Sequence, residues 1–269
     1  MLAANQVEHP QRNGKLDMHF ASKQGKTVMT DLYHQPPLKA SRALYLDDSH
    51  RATVYLMESS GGMVAGDRNT FGVYLEKGAQ VRLHPQSATK IYPSFNKQPS
   101  QQVVNIHLEE GSSLEWKREE VIPFTDARFH SDISIDMDRT ASVWWEEILY
   151  PGRDKRGESF EFQECHTKFQ VWSGEDCLAY DAVRLNPSHQ QIAALGVMET
   201  YQYVGSVWVI GPNINFDEEL IQSELRQTKG HQSSVTKLHE RGYLIRWLSN
   251  HLPVIKQEMD TLSEWINGQ

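Results

Sequence analysis

The sequence has few of the features that mark secreted, membrane-bound or disulfide-rich proteins. It contains two cysteines in 269 residues, too few for a disulfide framework or a four-thiolate zinc site. No stretch approaches the roughly 18 consecutive apolar residues of a membrane span. The first residues lack the apolar core of a secretory signal, and no Asn-x-Ser/Thr glycosylation acceptor occurs. We therefore expect a cytoplasmic protein that does not associate with membranes.

Positive charge is also scarce. The chain has 27 Lys+Arg against 35 Asp+Glu, a formal net charge of −8, and its basic residues are scattered singly or in pairs. Proteins that bind a nucleic-acid backbone concentrate basic residues on one face, so no nucleic-acid partner is expected. With 39% hydrophobic and 23% charged residues, the composition is typical of a globular protein.

Short alternations of apolar and polar residues, typical of strands, extend from about residue 15 to 210. Residues 75–81, 108–114 and 137–143 share one pattern: an apolar strand end, a polar turn, a small residue and a second apolar strand. Copies spaced by roughly 30 residues are typical of stacked units. We predict a mainly β, β-helix-like stack after a flexible segment of residues 1–14, with residues 15–269 forming a single domain. An ordinary β-sandwich remains the alternative.

The periodicity becomes helical after residue 211. Asn215 and Glu218 resemble a capping box, with Gly230 as the stop of a first helix. Ser249 or Asn250 is the predicted cap of a second helix, and residues 238–244 predict a hairpin. Apolar residues of the second helix form one stripe: Ile255, Met259, Leu262 and Ile266. We therefore predict a C-terminal α/β segment with two helices, over residues 211–269.

Two short motifs resemble known catalytic or binding elements but lack their partners. Residues 61–67 (GGMVAGD) contain no Lys-Ser/Thr and no Gly-x-Gly-x-x-Gly, so they predict a turn or a close backbone approach rather than a phosphate cradle. Residues 87–90 (SATK) match Ser-x-x-Lys, but the Ser-Asp-Asn and Lys-Thr-Gly partners are missing. A strand and a turn are expected there, not a nucleophile.

Acidic pairs occur at Glu119-Glu120 and Glu146-Glu147. Neighbours in a strand point to opposite faces, so one member of each pair should point inward. A buried carboxylate is costly unless it is paired, binds a metal or faces water. Glycoside hydrolysis by two carboxylates is one use of such pairs, and a solvated edge strand is the plainer interpretation. The 12 histidines show no metal-ligand spacing, so no static metal site is predicted.

Several segments in order resemble the UreD-type (UreH) urease accessory proteins. They cover residues 61–67 (GGMVAGD), 86–92 (QSATKIY), 114–116 (LEW), 122–128 (IPFTDAR), 145–160 (WEEI, then GR and RGESF) and 180–187 (YDAVRLNP). The resemblance extends over roughly residues 30 to 265. It departs mildly from the family pattern at Ala65, where many members have glycine, and through residues 190–235.

The resemblance implies a stack of two sheets with helices at the C-terminal end. It also implies a non-enzymatic nickel-delivery scaffold that binds apo-urease and a UreF-type protein, and through the latter a UreG-type GTPase. Nickel would be in transit through an internal tunnel, with no permanent cofactor. The implied path residues are Asp67, Glu147 and Asp181. The implied supports of the tunnel or its loops are Thr89, Lys90, Arg153 and Glu158. Ile255, Met259 and Leu262 are core residues on the plain interpretation of an apolar stripe, whereas the resemblance implies that part of this helical end is a partner interface.

Two other functions are weighed against nickel delivery. One is a structural adaptor of the maturation complex that makes no contact with nickel. The other is a β-helix enzyme acting on carbohydrates through two of the carboxylates.

Overall fold

The computed structural model describes residues 11–212, 214, 218–238 and 241–267. Within these residues the chain forms sixteen strands and two α-helices. In chain order the strands are β1 (Asn13–Lys23), β2 (Lys26–Gln35), β3 (Leu38–Ala40), β4 (Ala52–Glu58), β5 (Arg68–Leu75), β6 (Gln80–Pro85), β7 (Thr89–Ile91), β8 (Ser100–Leu108), β9 (Ser113–Pro123), β10 (Arg128–Met137), β11 (Ser142–Leu149), β12 (Glu164–Ser173), β13 (Asp176–Leu185), β14 (Tyr203–Ile210), β15 (His231–Lys237) and β16 (Gly242–Ser249). The helices are α1 (Glu218–Glu224) and α2 (Leu252–Asn267).

The strands form two sheets that pack face to face. Sheet A has the order β13-β12-β10-β8-β5-β1-β2, and sheet B has the order β15-β16-β14-β11-β9-β6-β4-β3, with β7 paired to β9. The central strands of both sheets run parallel, and the flanking strands are antiparallel. The mainly β, stacked architecture predicted from the sequence is confirmed.

The three sequence copies are three consecutive crossings from sheet A to sheet B. In sheet A, Leu75 pairs with Leu108 and Leu108 with Met137; in sheet B the second strands of the copies pair in the same order. The small residue of each copy lies where successive turns stack and is almost fully buried, as at Ala79 and Ala141. Only a small side chain fits there, which is the physical reason for the repeated pattern.

The largest apolar cluster lies between the sheets and is rich in aromatic side chains. Trp116 and Trp145 from sheet B stack with centroids 4.6 Å apart, and Phe169 of sheet A stacks on Trp208 at 4.3 Å. All four are at most 3% exposed. Offset aromatic stacking adds to the burial of apolar area, so these rings tie the two sheets together.

The C-terminal segment contains the predicted hairpin and both predicted helices, with corrected bounds. Strands β15 and β16 form the hairpin. Helix α1 ends at Glu224, short of the predicted stop at Gly230, which instead lies in a turn before β15. The predicted cap Asn215 lies outside the described residues. At the other end of the chain, β1 begins at Asn13, inside the segment predicted to be flexible.

Helix α2 packs on the outer face of sheet B. Ile255, Met259 and Leu262 are at most 2% exposed and belong to a second apolar cluster with β14 and β16. Gly205 of β14 permits this close packing, because a Cβ there would lie 2.7 Å from a methyl carbon of Ile255. The three side chains are therefore core residues, as the plain interpretation of the stripe predicts, and they are not available as a partner interface. The side chain of Ile266 lies outside the described ones.

The glycine-rich segment is a turn with a close backbone approach, as the sequence predicts. Gly62 has φ +142°, and a Cβ there would lie 2.7 Å from the carbonyl oxygen of Lys90. The Ser-x-x-Lys segment contains the short strand β7 rather than a helix. Among the described residues, no helix is long and apolar enough to cross a membrane.

Candidate functional site

A line of polar residues crosses the inner face of sheet B. Glu119 of β9 lies opposite Glu147 of β11, Glu147 lies opposite Ser206 of β14, and Ser206 lies opposite Arg246 of β16. Four adjacent strands thus each contribute one polar side chain at the same level. We call these four residues the polar row. At about 4.8 Å per strand, the row is about 14 Å long.

A β-bulge sets the row. Trp116 pairs with Trp145, but the next pairs are Glu119 with Glu147, so β9 contains one extra residue at this point. Without the bulge, alternation from Trp116 would turn Arg118 inward. The bulge instead turns Glu119 inward beside Glu147, a local change of direction for which bulges are often used near functional sites.

The polar row separates two apolar regions of the space between the sheets. Trp116 and Trp145 precede the two glutamates and belong to the large aromatic cluster. Val121 and Leu149 follow them and contact a third apolar cluster, which includes Phe129 and Phe162. Buried charges without compensation are costly, so stability of the fold does not by itself explain carboxylates between two apolar clusters.

Sheet A contributes an acid opposite the end of the row. An Nη atom of Arg246 lies 2.5 Å from Oδ2 of Asp181 in β13, and Nε of Arg246 donates to Oγ of Ser206 at 3.2 Å. The Arg246 side chain is 30% exposed and that of Asp181 is 22% exposed. This charge-assisted contact joins the two sheets. Among the described residues, Arg246 is the cation that acts on Glu147.

Glu147 lies in an environment that disfavours its negative charge. Burial raises its pKa to about 7; Arg246 opposes the shift, and the charges of Asp181 and Glu119 add to it. The side chain nonetheless keeps part of its surface accessible. Burial likewise raises the pKa of the nearby Cys165 thiol to about 12, with a further contribution from Glu147. The interior here disfavours negative charge and contains more acids than bases.

The far end of the row is formed by Glu119 and Thr89. Thr89 Oγ1 donates to Glu119 Oε1 at 2.6 Å. Burial raises the pKa of Glu119, and hydrogen bonds from Thr89, Trp116 and Gln102 partly offset that effect. The buried indole N–H groups of Trp116 and Trp145 face the Glu119 and Glu147 carboxylates, although neither makes a hydrogen bond of good geometry.

The other end of the row borders an open cleft. Arg246 and Val183 line a depression of about 480 Å³ together with residues of β13 to β16 and the loop before β14. Thr89 is half-buried. Both ends of the line from Thr89 through the row to Asp181 are thus partly accessible, while Glu119 in its middle is 6% exposed.

Of the three predicted path carboxylates, the structure brings Glu147 and Asp181 together but places Asp67 elsewhere. Asp67 precedes β5, four strand positions from β13 in sheet A, or about 19 Å. Its Oδ1 accepts from the backbone N–H of Arg12 at 2.9 Å, and its Oδ2 accepts from the N–H of Val64 at 3.0 Å. Asp67 is 3% exposed and fastens the glycine-rich turn to the start of β1.

Among the predicted support residues, only Thr89 contacts the polar row directly. Lys90 is exposed. Arg153 and Glu158 form an ion pair with each other, the Arg153 guanidinium lies 4.2 Å from the centroid of the Phe124 ring, and Glu158 accepts from the N–H of Thr125 at 3.4 Å. This pair anchors the loop between β11 and β12.

Comparison with known proteins identifies the family. The family described as UreD urease accessory protein matches residues 12–269. The chain is 41% identical over 252 residues to the urease accessory protein UreD of Lysinibacillus sphaericus, covering 93% of this chain and 94% of that protein.

The chain belongs to the UreD family.

The UreD protein of Sporosarcina pasteurii is 40% identical over 248 residues, covering 91% of this chain and 96% of that protein. That of Staphylococcus aureus strain Newman is 28% identical over 269 residues, covering 97% and 95%. Because the UreD match spans almost all the described residues, both sheets and the polar row lie inside the family region. The coarse assignment to an accessory role in urease maturation rests on these matches.

Sequence reasoning missed several residues that this UreD-family fold brings together. Ser206 and Arg246 carry no local motif, since their place in the row depends on antiparallel pairing at the end of the stack. His130, Glu164 and His166 also come together on the outer face of sheet A. Their signal is the pairing of His130 with His166 in parallel strands, not a local spacing.

Proposed function

We propose that the chain serves urease maturation as a non-catalytic metallochaperone subunit that passes Ni²⁺ along the polar row between its two sheets. The observation that carries the proposal is the row itself: Glu119 and Glu147 lie between two apolar clusters, with Asp181 and Arg246 at one end. Nickel is the cargo, not a resident cofactor.

The chemistry of the row suits an ion in transit. Carboxylate and hydroxyl oxygens bind a borderline divalent ion weakly, whereas sets of thiolates and imidazoles would retain it. Conduction requires sites weak enough to release the ion and numerous enough to pass it on. Within sheet B, Thr89, Glu119 and Glu147 offer oxygen ligands on adjacent strands about 5 Å apart, and Asp181 of the opposite sheet lies close enough for its charge to act on Glu147.

Arg246 controls the charge at the cleft end. Its contact with Asp181 offsets one carboxylate, and Glu147, with its pKa near 7, carries a proton in part of the population at neutral pH. An arriving divalent cation favours the ionised carboxylates, so the ion displaces the Glu147 proton and weakens the Arg246 contact. The path thus gains negative charge when the ion enters.

Partner binding follows from the family. We propose that apo-urease and a UreF-type protein bind this chain directly, and that a UreG-type GTPase joins through the UreF-type protein. The buried stripe of α2 is unavailable for such contacts, so the exposed face of the same helix is the better candidate. That face carries Gln257, Asp260, Thr261 and Glu264.

A carbohydrate-active enzyme is the less favoured function. A glycoside hydrolase must bring a sugar chain between its two carboxyl groups, but Glu119 is 6% exposed and lies between the sheets. A pure adaptor remains the second candidate, and it differs from the conduit in one measurable respect. An adaptor needs the surface of this chain but not its interior acids.

The test is urease maturation in a heterologous host that expresses urease and the other accessory proteins. We would compare the wild-type chain with Glu147→Gln, Asp181→Asn and Glu119→Gln, measuring nickel per purified urease and ureolytic activity. Amide replacements keep side-chain size, and recovery of the accessory complex by affinity purification checks assembly. Glu110→Gln is the matched control, since Glu110 is a 59% exposed surface acid.

The conduit predicts that the nickel content and the activity of urease both fall at least several-fold in the Glu147, Asp181 and Glu119 variants, while the complex still forms. The control should equal the wild type. Full nickel loading of urease with all three variants would overturn the conduit and favour the adaptor. Full loading with the whole chain absent would overturn the maturation role itself.

A further inference from the structure

A second cluster of metal-ligand groups lies on the outer face of sheet A, away from the polar row. His130 of β10 pairs in register with His166 of β12, and Glu164 precedes His166 by two residues on the same face. One ligand atom from each of the three side chains lies within 4.8 Å of the others. We call these three residues the histidine cluster.

The two imidazole rings of the cluster are stacked, so a side-chain rotation is needed before both can face one ion. The two imidazoles stack with centroids 4.8 Å apart and an interplanar angle of 7°. Nε2 of His130 is buried, lies 3.2 Å from Oε1 of Glu164, and makes no hydrogen bond of good geometry. A buried ring nitrogen that faces a carboxylate without a well-formed hydrogen bond is unusual, and an ion shared by the two groups would account for it.

The side-chain amide of Asn186 holds one ring nitrogen of His166. Nε2 of His166 lies 2.8 Å from Oδ1 of Asn186; since this oxygen accepts, Nε2 carries the proton and Nδ1 keeps its lone pair. A polar group that fixes the tautomer of a ligating histidine is common in metal sites.

We infer that the histidine cluster is a surface site for one borderline divalent transition-metal ion, held by His130, His166 and Glu164. Two imidazoles and one carboxylate select late first-row ions over Mg²⁺ and Ca²⁺, which prefer oxygen ligands. Ligand atoms around such an ion at about 2.1 Å lie about 3–4 Å apart, so small side-chain rotations close the site. Three protein ligands leave positions open for water or for a ligand from another molecule.

Arg128 is the competing partner of the carboxylate. Its Nη1 lies 3.3 Å from Oε2 of Glu164, the oxygen that does not face His130. Without a metal this contact neutralises Glu164; with a metal, the nearby guanidinium weakens binding by charge repulsion. Removing the cation should therefore tighten metal binding, the opposite of what a purely structural ion pair predicts.

The site is independent of the proposed conduit. His166 faces outward, whereas its neighbour Cys165 faces the interior and contacts an apolar cluster there. The histidine cluster therefore lies on the outer face of sheet A, whereas the polar row lies on the inner face of sheet B, so loss of one site need not affect the other.

The test measures binding of Zn²⁺ and Co²⁺ to the full chain by equilibrium dialysis, with the visible absorption of bound Co²⁺ as a second readout. We expect His130→Gln and His166→Gln each to remove one equivalent of metal and the associated Co²⁺ absorption. Glu164→Gln should weaken binding about tenfold or more, and Arg128→Gln should strengthen it several-fold.

His107→Gln is the matched control, because His107 lies on the same outer face and pairs with Asp136 at 3.0 Å instead. Thermal unfolding without metal checks that the variants fold. Equal stoichiometry and affinity in wild type and both histidine variants would overturn the site. Loss of the same equivalent in Glu147→Gln, with retention in His166→Gln, would also overturn it, since the ion would then lie in the polar row.

Discussion

Glu146 and Glu147 are neighbours in β11, but their carboxylates enter different interiors of the protein. Glu146 Oε1 lies 2.7 Å from Nζ of Lys117 beneath α2 and accepts from Nε1 of Trp144 at 2.6 Å. Glu147 points between the sheets into the polar row. Strand alternation separates the two, so one glutamate is matched by a buried cation and the other shares its space with further acids. Opposite effects on stability follow.

Glu147→Gln is expected to stabilise the protein at alkaline pH. The folded-state pKa of Glu147 is raised to about 7 from the ordinary glutamate value of 4.5. Between these values the folded chain keeps a proton that the unfolded chain releases, so the free energy of unfolding falls as pH rises through this window. The amide removes that loss, giving a gain of about 1–3 kcal/mol at pH 8 and little change at pH 4.

Urea unfolding at both pH values measures this difference. Glu110→Gln, at an exposed site, should leave the pH dependence as it is in the wild type. An equal change in stability at pH 4 and pH 8 would show that titration of Glu147 is not the cause.

Glu146→Gln is expected to destabilise the protein by about 2–4 kcal/mol, because it leaves the buried Lys117 ammonium without its charged partner. The Lys117 side chain is 14% exposed and that of Glu146 is fully buried. Asp260→Asn is the surface comparison: Asp260 is 52% exposed and pairs with Arg118, so its loss should cost under about 1 kcal/mol. Urea unfolding at pH 7 measures both, and similar values for the two variants would contradict the buried pair.

Asp67→Ala is expected to loosen the start of β1 rather than to empty a metal site. It removes the acceptors of the Arg12 and Val64 amides, at a cost of about 2–3 kcal/mol. Hydrogen exchange should speed up at these two amides before it does so at β8. If nickel loading of urease fell while stability and exchange stayed unchanged, Asp67 would carry the ion after all.

Thiol labelling tests the packing around the row. Cys177 is exposed and Cys165 is fully buried, with the pKa of its thiol raised to about 12. We expect an aromatic disulfide reagent to modify one thiol per folded chain and two in denaturant. Cys177→Ser should show no labelling in the folded state. Rapid labelling of Cys165 in that variant would mean that the reagent enters the interior.

The fold was largely predictable because its information is local. Each of the three copies combines strand alternation, a turn and a small residue. Because the copies are similar in length, stacking places their equivalent strands side by side in register. The inward position of Glu147 also follows from alternation next to two tryptophans. In contrast, alternation alone places Arg118 where the bulge places Glu119.

Periodicity and local motifs were enough to predict the mainly β stack, the C-terminal helices and the family. The loop contact of Asp67 and the contact of Arg246 with Asp181 across the sheets depend on the tertiary fold. The same holds for the pairing of His130 with His166. The physical reason is that periodicity fixes which face a side chain occupies, whereas register and sheet packing fix which distant residues share that face.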